Sequence, residues 1–190
     1  MQSLRERKKV KTRQALVQAA IQLFVDQGYS HTTVDQITEL ADVSRRTFFR
    51  YFPSKEAVVF PDRAQRLDLL RQLLGNNCSL RKAFLGLAHD FVNQRQIVIA
   101  QQQIIDSSTD LVAYQRELDS QFEDAVAEAL ISRGDGSEKN LLESQIVAAA
   151  VIAAVRVTLQ RWFATNGKAD LVEMGNEMFD LLERGFGDQQ

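Results

Sequence analysis

The chain has 190 residues, of which 45% are hydrophobic and 25% charged, an ordinary composition for one globular domain or two small ones. Nine glycines and two prolines are too few for turn-rich β architecture, and the single cysteine, Cys78, excludes an intrachain disulfide framework and a cysteine-based zinc site. We expect neither a metal nor a cofactor.

The net charge of −2 hides an asymmetry between the two ends of the chain. Residues 1–55 carry ten Lys or Arg and five Asp or Glu, hence +5, and residues 56–190 carry thirteen and twenty, hence −7. A basic N-terminal segment suits an anionic partner such as nucleic acid, although charge alone leaves a solvated basic arm equally open. The longest apolar run, 146–155, is shorter than the ~20 residues of a membrane span, so we expect a cytoplasmic protein.

The first predicted helix covers 10–27 and stops at Gly28. Thr33, with Gln36 three residues later, predicts a capping box for a short helix that ends near Ala41 and buries Val34, Ile37, Leu40 and Ala41. A turn with Asp42 in left-handed geometry follows, and Ser44 caps a helix over 45–52. Two short helices joined by a tight turn form a helix-turn-helix pattern.

The remainder of the chain is also helical by its periodicity. Pro61 is expected either to kink the first of the later helices or to restart it. The predicted segments are 54–74, 79–93, 95–106, 109–132, 138–165 and 170–185.

The stretch VSRRTFFRYFPSKE, 43–56, mixes arginines with aromatic rings. On a helix over 45–52, Phe48 and Phe52 share a core face, which turns the basic side chains and Phe49 outward. The free N–H groups of the first turn and the nearby hydroxyls suit phosphate oxygens, and arginine is suited to guanine edges. The outward-facing candidates for DNA contact are Ser44, Arg45, Arg46, Thr47, Phe49, Tyr51 and Lys55.

The segment GYSHTTVDQITELADVSRRTFFRYFPSKEAVV, 28–59, closely resembles the DNA-binding signature of TetR/AcrR-family transcriptional regulators. The resemblance is specific over roughly 10–60. It implies an all-α fold of about nine helices, with a three-helix helix-turn-helix DNA-binding domain over 1–53 and a helical ligand-binding and dimerisation domain over 54–190. It places Arg45 and Arg46 at base-contact positions. It places five residues at phosphate-contact positions: Thr33, Ser44, Thr47, Tyr51 and Lys55.

Two residues depart from the family pattern. Asp42 replaces the usual glycine of the turn, and Phe49 replaces the commonest tyrosine. Both substitutions are expected to influence which operator is read.

Helix 138–165 is apolar nearly all round its middle and rich in alanine, so it is expected to be buried on more than one side. Together with the last helix and a symmetry mate it would form a four-helix interface, although a monomer core would use the same residues. The expected interface residues are Ile146, Ala149, Val151, Ala153, Val157, Met174, Met178, Leu181 and Leu182.

The family resemblance also implies an effector pocket among the middle helices. Most apolar residues at helical spacing are simply core, so these candidates are weaker than the DNA contacts. The candidates are Leu87, His89, Phe91, Arg95, Gln102, Tyr114, Phe122 and Trp162.

These features predict a ligand-responsive repressor that binds a pseudo-palindromic operator as a homodimer and is released by a small apolar or amphipathic effector. No motif of a hydrolase, metalloprotease or nucleotide-binding enzyme occurs, so we expect no enzymatic activity. The alternative is a helical interaction protein that uses its basic segment for protein or RNA contacts.

Overall fold

The computed structural model describes residues 3–185, and these residues form nine α-helices, one short 3₁₀ helix and no strands. The predicted all-α fold of about nine helices is confirmed. The α-helices are α1 Leu4–Gln27, α2 Val34–Leu40, α3 Arg45–Tyr51, α4 Arg63–Gly75, α5 Leu80–Asn93, α6 Arg95–Asp106, α7 Thr109–Ile131, α8 Glu138–Ala164 and α9 Leu171–Arg184.

Most helix ends lie where the sequence predicts them, because they are set by local caps. One exception is the start of α1, which begins six residues earlier than predicted because Ser3 and Glu6 form a capping box. Asp42 adopts the left-handed backbone expected of it, with φ of 52°. Leu40, expected in the core, is 48% exposed because it is the last residue of α2, where the chain turns away.

The helix predicted over 54–74, with a kink or a restart expected at Pro61, is interrupted in the structure. The chain instead forms a 3₁₀ helix, Glu56–Val59, and restarts as α4 at Arg63. Pro61 lies in the intervening turn, where its missing N–H and fixed φ break the helical hydrogen-bond pattern. The proline therefore restarts the helix rather than kinking it.

By its packing the chain divides into two compact units. Unit 1 comprises the residues up to Asp62 together with Ala100–Gln115, and unit 2 comprises Arg63–Ile99 with the residues from Arg116 onward. The division by packing therefore falls elsewhere than the functional division predicted at residue 53.

Unit 1 has a single core built on the helix-turn-helix segment. Phe48 and Phe52 lie in it with Ile37 and Phe24, as their spacing predicted. Its other buried members come from α1 and the turn after it, from the 3₁₀ helix and from the junction of α6 and α7: Leu16, Ala19, Ala20, Tyr29, Val58, Val59, Ile104, Ile105 and Leu111.

Unit 2 packs α5 against α4 and α9, and α9 against α8. Its main core joins leucines of α4 to Phe84, Phe122, Ile152 and Phe179. A second cluster surrounds Trp162, whose indole N–H donates to the carbonyl of Ala169 at 3.0 Å.

Within residues 3–185, α8 alone is long and apolar enough to cross a membrane by length and composition, with a mean hydropathy of 1.6 over its best window. The predicted 146–155 run is thus the centre of a 27-residue helix. The same composition suits a helix that is covered by other protein.

Candidate nucleic-acid interface

Two hydroxyl side chains stand at the N-termini of the helix-turn-helix pair. Thr33 Oγ1 accepts from the N–H of Gln36 at 3.2 Å, and the N–H of Thr33 donates to the Gln36 side chain at 2.9 Å. Ser44 Oγ accepts from the N–H of Thr47 at 3.2 Å and lies 3.0 Å from the Thr47 hydroxyl. The positive end of each helix dipole and the hydroxyls beside it are thereby presented together, an arrangement suited to phosphate oxygens.

Arg45, at the first position of α3, is held by a carboxylate of α2. Its Nη1 donates to both oxygens of Asp35, at 3.1 and 3.2 Å, and its guanidinium carbon lies 5.7 Å from the centre of the Phe49 ring. All three side chains are exposed. The pair orients Arg45 and places a negative charge beside it, a feature that sequence analysis missed because the partners are ten residues apart.

Arg46 differs from its neighbour. It is exposed, and no hydrogen bond or ion pair of its side chain occurs among residues 3–185. Because Phe48 and Phe52 anchor the opposite face of α3 in the core, Arg46 projects from a fixed helix. It is the arginine of α3 best placed to meet an external acceptor.

Two aromatic side chains complete this surface. Phe49 is exposed and meets Phe48 edge-on at 5.4 Å, and Tyr51 is half-buried with Arg50 stacked on its ring at 5.2 Å. An exposed ring held by a core ring has little freedom to lose on binding.

Lys55 has a structural role that its sequence position does not reveal. Its ammonium donates to the carbonyls of Tyr29 and Thr32, both at 2.9 Å, and lies 3.9 Å from the centre of the Tyr29 ring. It therefore fastens the turn after α1 to the start of the 3₁₀ helix. An ammonium has three protons, so one remains for a phosphate oxygen.

A hydrogen bond from the Tyr29 hydroxyl to Glu56 joins the same two segments. Burial, followed by the hydrogen bond and the charge of Glu56, raises the pKa of Tyr29 well above its usual range. Burial also pushes the pKa of Glu56 upward, but hydrogen bonds from Tyr29, the backbone and Ser54, with the charge of Lys55, outweigh it and lower that pKa. Glu56 is thus held ionised.

The side chains proposed for the effector pocket are divided between the two units. Gln102 and Tyr114 belong to unit 1, where the Gln102 side chain bonds to Asp106 and Gln115 and the Tyr114 ring lies 5.6 Å from that of Phe60. The others belong to unit 2: Leu87, Phe122 and Trp162 are buried, Phe91 is half-buried, and His89 and Arg95 are exposed.

An open cleft does occur in unit 2, between the ends of α4 and α7, with Arg71, Asn77 and Arg133 in its lining. None of the eight predicted ligand residues lines it. The predicted pocket residues therefore stay predictions.

The proposed dimer residues fall into three groups. Ile146 and Val157 of α8 are 59% and 54% exposed, and Leu181 of α9 is also exposed. Ala149 is exposed, whereas Ala153, Met174, Met178 and Leu182 are partly covered. Val151 is only 5% exposed and packs in the core of its own unit, so it is removed from the expected interface.

Two family models match the chain. Residues 16–60 match the model of bacterial regulatory proteins of the tetR family, and residues 77–187, more than half of the chain, match the MftR C-terminal domain. The first match covers the helix-turn-helix segment, and the second covers most of unit 2.

Among the curated relatives, one matches most of the chain and another matches only a short segment of it. The chain is 26% identical over 173 residues to the putative mycofactocin biosynthesis transcriptional regulator MftR of Mycobacterium tuberculosis, which covers 87% of this chain and 86% of that protein. It is 56% identical over 55 residues to the transcriptional regulator TcmR of Streptomyces glaucescens, but that match covers only 24% of TcmR.

Solved structures share the whole fold. Thermus thermophilus FadR, a TetR-family repressor in complex with lauroyl-CoA, is 25% identical, with a TM-score of 0.60 over 94% of this chain and 96% of that one. NalD of Pseudomonas aeruginosa, at 19% identity, has a TM-score of 0.63 over 93% of this chain and 97% of that one.

Proposed function

Because this chain belongs to the TetR family of transcriptional regulators, we propose that it represses transcription by binding a pseudo-palindromic DNA operator as a homodimer. We further propose that a small apolar or amphipathic effector releases it. The observation that carries the proposal is the surface of α3, on which Arg46 is exposed beside the capped N-terminus of the helix and has no side-chain partner among residues 3–185.

In the proposed complex, α3 enters the major groove and its two first arginines read base edges. Arg46 would reach guanine bidentately, and Arg45 would do so in the orientation set by Asp35. The phosphates on either side would be met by Thr33, Ser44, Thr47, Tyr51 and Lys55, and Phe49 would contact a sugar or a thymine methyl group.

The proposed dimer rests on exposed apolar side chains of α8 and α9. Ile146, Val157 and Leu181 expose large aliphatic side chains to water in the single chain, a cost that a second copy of the same face would remove. Two helices from each protomer would form a four-helix interface. This reading accounts for the apolar character of α8 without a membrane, in keeping with the proposed cytoplasmic location.

An amphipathic effector is suggested by the apolar and aromatic side chains that fill the core of unit 2 and by FadR, whose structure holds lauroyl-CoA. The proposed mechanism is a shift of the dimer to a state whose two α3 helices no longer match consecutive major grooves. The coupling free energy between effector binding and operator binding is expected to be ~1–3 kcal/mol. We propose no catalytic activity.

The test is selection of random duplex DNA by the purified protein, followed by a salt titration on the selected sequence. A pseudo-palindrome bound with a steep salt dependence is the expected result. A protein purified with its effector bound would fail to select, so the selection is repeated after unfolding, washing and refolding.

The runner-up is a helical interaction protein that uses its basic segment for protein or RNA contacts. Sequence-blind binding, or no binding to duplex DNA after effector removal, would favour it. The basic side chains between Arg5 and Lys11, which lie exposed on α1, would serve either reading.

A further inference from the structure

Unit 2 contains two neighbouring arginines that are largely withdrawn from water. Arg63 and Arg66 lie one turn apart on α4, and their side chains are only 21% and 13% exposed. Arginines are rarely buried without full pairing, because removing a guanidinium from water is costly. The groups that surround the two guanidiniums therefore indicate which role the two arginines have.

Each arginine has one carboxylate partner and one aromatic wall. Arg63 Nη2 donates to Asp119 at 2.5 Å, and the Arg63 guanidinium carbon lies 4.3 Å from the centre of the Phe122 ring. Arg66 Nε donates to Asp90 at 2.8 Å, and its guanidinium carbon lies 4.3 Å from the centre of the Phe91 ring. The two sites are built alike.

Neither guanidinium is satisfied by these partners. The Nε of Arg63 and the Nη2 of Arg66 are buried and have no hydrogen-bond acceptor among residues 3–185. A buried donor without an acceptor is unfavourable, and such donors are uncommon in native proteins. Each of the two neighbouring guanidiniums therefore keeps one buried N–H group to which a further acceptor could bind.

The charges point to the same conclusion. Burial and the nearby charge of Arg66 both favour the neutral form of Arg63, and although Asp119 opposes them, the pKa of Arg63 is lowered. A negative group beside both guanidiniums would relieve the repulsion between them and supply acceptor atoms for their two buried N–H groups.

We propose that Arg63 and Arg66 together recognise the anionic group, a carboxylate or a phosphate, of an amphipathic effector. Without the effector, Asp119 and Asp90 pair with the two arginines. When the effector is bound, the rings of Phe91 and Phe122 contact its apolar part next to the anionic group. This inference deepens the proposed ligand response and rests on it.

The position of Arg63 in the chain suggests how such binding acts. Arg63 is the first residue of unit 2, and its partner Asp119 follows four residues after the second segment of unit 1 ends. An anion that takes Arg63 from Asp119 therefore loosens an ion pair between two stretches of chain that lead directly to unit 1.

The experiment compares three probes that share a twelve-carbon chain: laurate, dodecyl phosphate and dodecanol, all below their aggregation limits. Binding is followed by the fluorescence of Trp162, the one tryptophan of the chain, which is buried in unit 2. At least one anionic probe is expected to bind about tenfold or more tightly than dodecanol. Whether laurate or dodecyl phosphate binds better distinguishes the two kinds of anion.

Variants give a result that general destabilisation does not imitate. Arg66→Gln should remove the preference for the anionic probe, and Arg184→Gln, a change of the same kind at an exposed position of α9 outside the cleft, should retain it. Asp90→Asn should strengthen anion binding several-fold, because it removes the competing carboxylate while the arginine stays.

The proposal is overturned if neither anionic probe binds, if dodecanol binds as tightly as they do, or if Arg66→Gln keeps the preference. Weaker anion binding by Asp90→Asn would also overturn it, since it would mean that the ion pair only supports the fold. Operator release by dodecanol without any preference for an anion would leave the proposed function standing and remove only this inference. If the anionic probe bound without releasing the operator, the proposed anion site would be supported and the proposed mechanism of ligand response would be refuted.

Discussion

The substitution Arg46→Ala tests the proposed division of roles on α3 most directly. Arg46 is exposed and makes no contact within residues 3–185 that the fold depends on, so its removal should change the free energy of unfolding by no more than about 0.5 kcal/mol. A bidentate contact to guanine is worth about 1–3 kcal/mol of discrimination between bases. With two half-sites in a dimer, the operator preference should fall by about 2–6 kcal/mol.

The assay is competition between the selected operator and duplexes that differ from it at one base-pair position, at a fixed salt concentration. Arg46→Ala should abolish the preference at one position of each half-site and leave the others intact. Arg50→Ala removes the same charge from the exposed surface at the other end of the same helix and serves as the matched control.

Arg45 should respond differently because Asp35 already holds it. Asp35→Asn is expected to leave Arg45 charged but less constrained, which broadens the preference at its position and strengthens binding to all duplexes slightly. If Arg46→Ala weakened every duplex equally, as Arg50→Ala is expected to do, base reading by Arg46 would be refuted.

Three further substitutions probe the remaining parts of the molecule. Lys55→Ala should lower the free energy of unfolding by about 1–3 kcal/mol, because two carbonyls lose their donor. It should also reduce the salt slope of DNA binding by about 1. An unchanged salt slope would refute the proposed contact between Lys55 and a phosphate. Tyr29→Phe should cost about 1 kcal/mol near pH 7. The pKa of Glu56 is lowered in the folded protein, so the ionised carboxylate stabilises the fold fully above the ordinary pKa of 4.5. This stabilisation is lost as the pH falls through the lowered pKa of the folded state. The difference in thermal unfolding between the parent and Tyr29→Phe should therefore be smaller at pH 3 than near pH 7. Ile146→Glu should give a monomer in sedimentation velocity at concentrations where the parent is dimeric, whereas Val92→Glu, at an exposed position of α5, should not; a dimeric Ile146→Glu would move the interface elsewhere.

Some of the fold followed from neighbouring residues alone. Ser44, Thr33 and Asp42 mark helix starts and a turn through hydrogen bonds and backbone preferences that span only a few residues, and each was found where predicted. The spacing of Phe48 and Phe52 similarly identified the buried face of α3, since side chains four apart on a helix lie on one side.

The candidate site needed more than local rules. Sequence identified Arg45 and Lys55 as basic residues of the interface, but their partners are distant: Asp35 is ten residues from Arg45, and the Tyr29 carbonyl is 26 residues from Lys55. A pattern of residue types does not specify which carboxylate or carbonyl a long side chain reaches. The expectation that Leu40 is buried failed for the related reason that burial depends on where the next segment goes.

The sequence by itself therefore determined most of the helices, the caps of α2 and α3, the outward face of α3 and the family to which the chain is similar. Only the tertiary structure decided that Ile104, Ile105 and Leu111 complete the core of unit 1, and that Arg63 meets Asp119 across 56 residues. Helix caps and amphipathic faces arise from interactions within one or two turns. Cores and buried ion pairs arise from which distant surfaces exclude water together, and that is settled only when the whole chain packs.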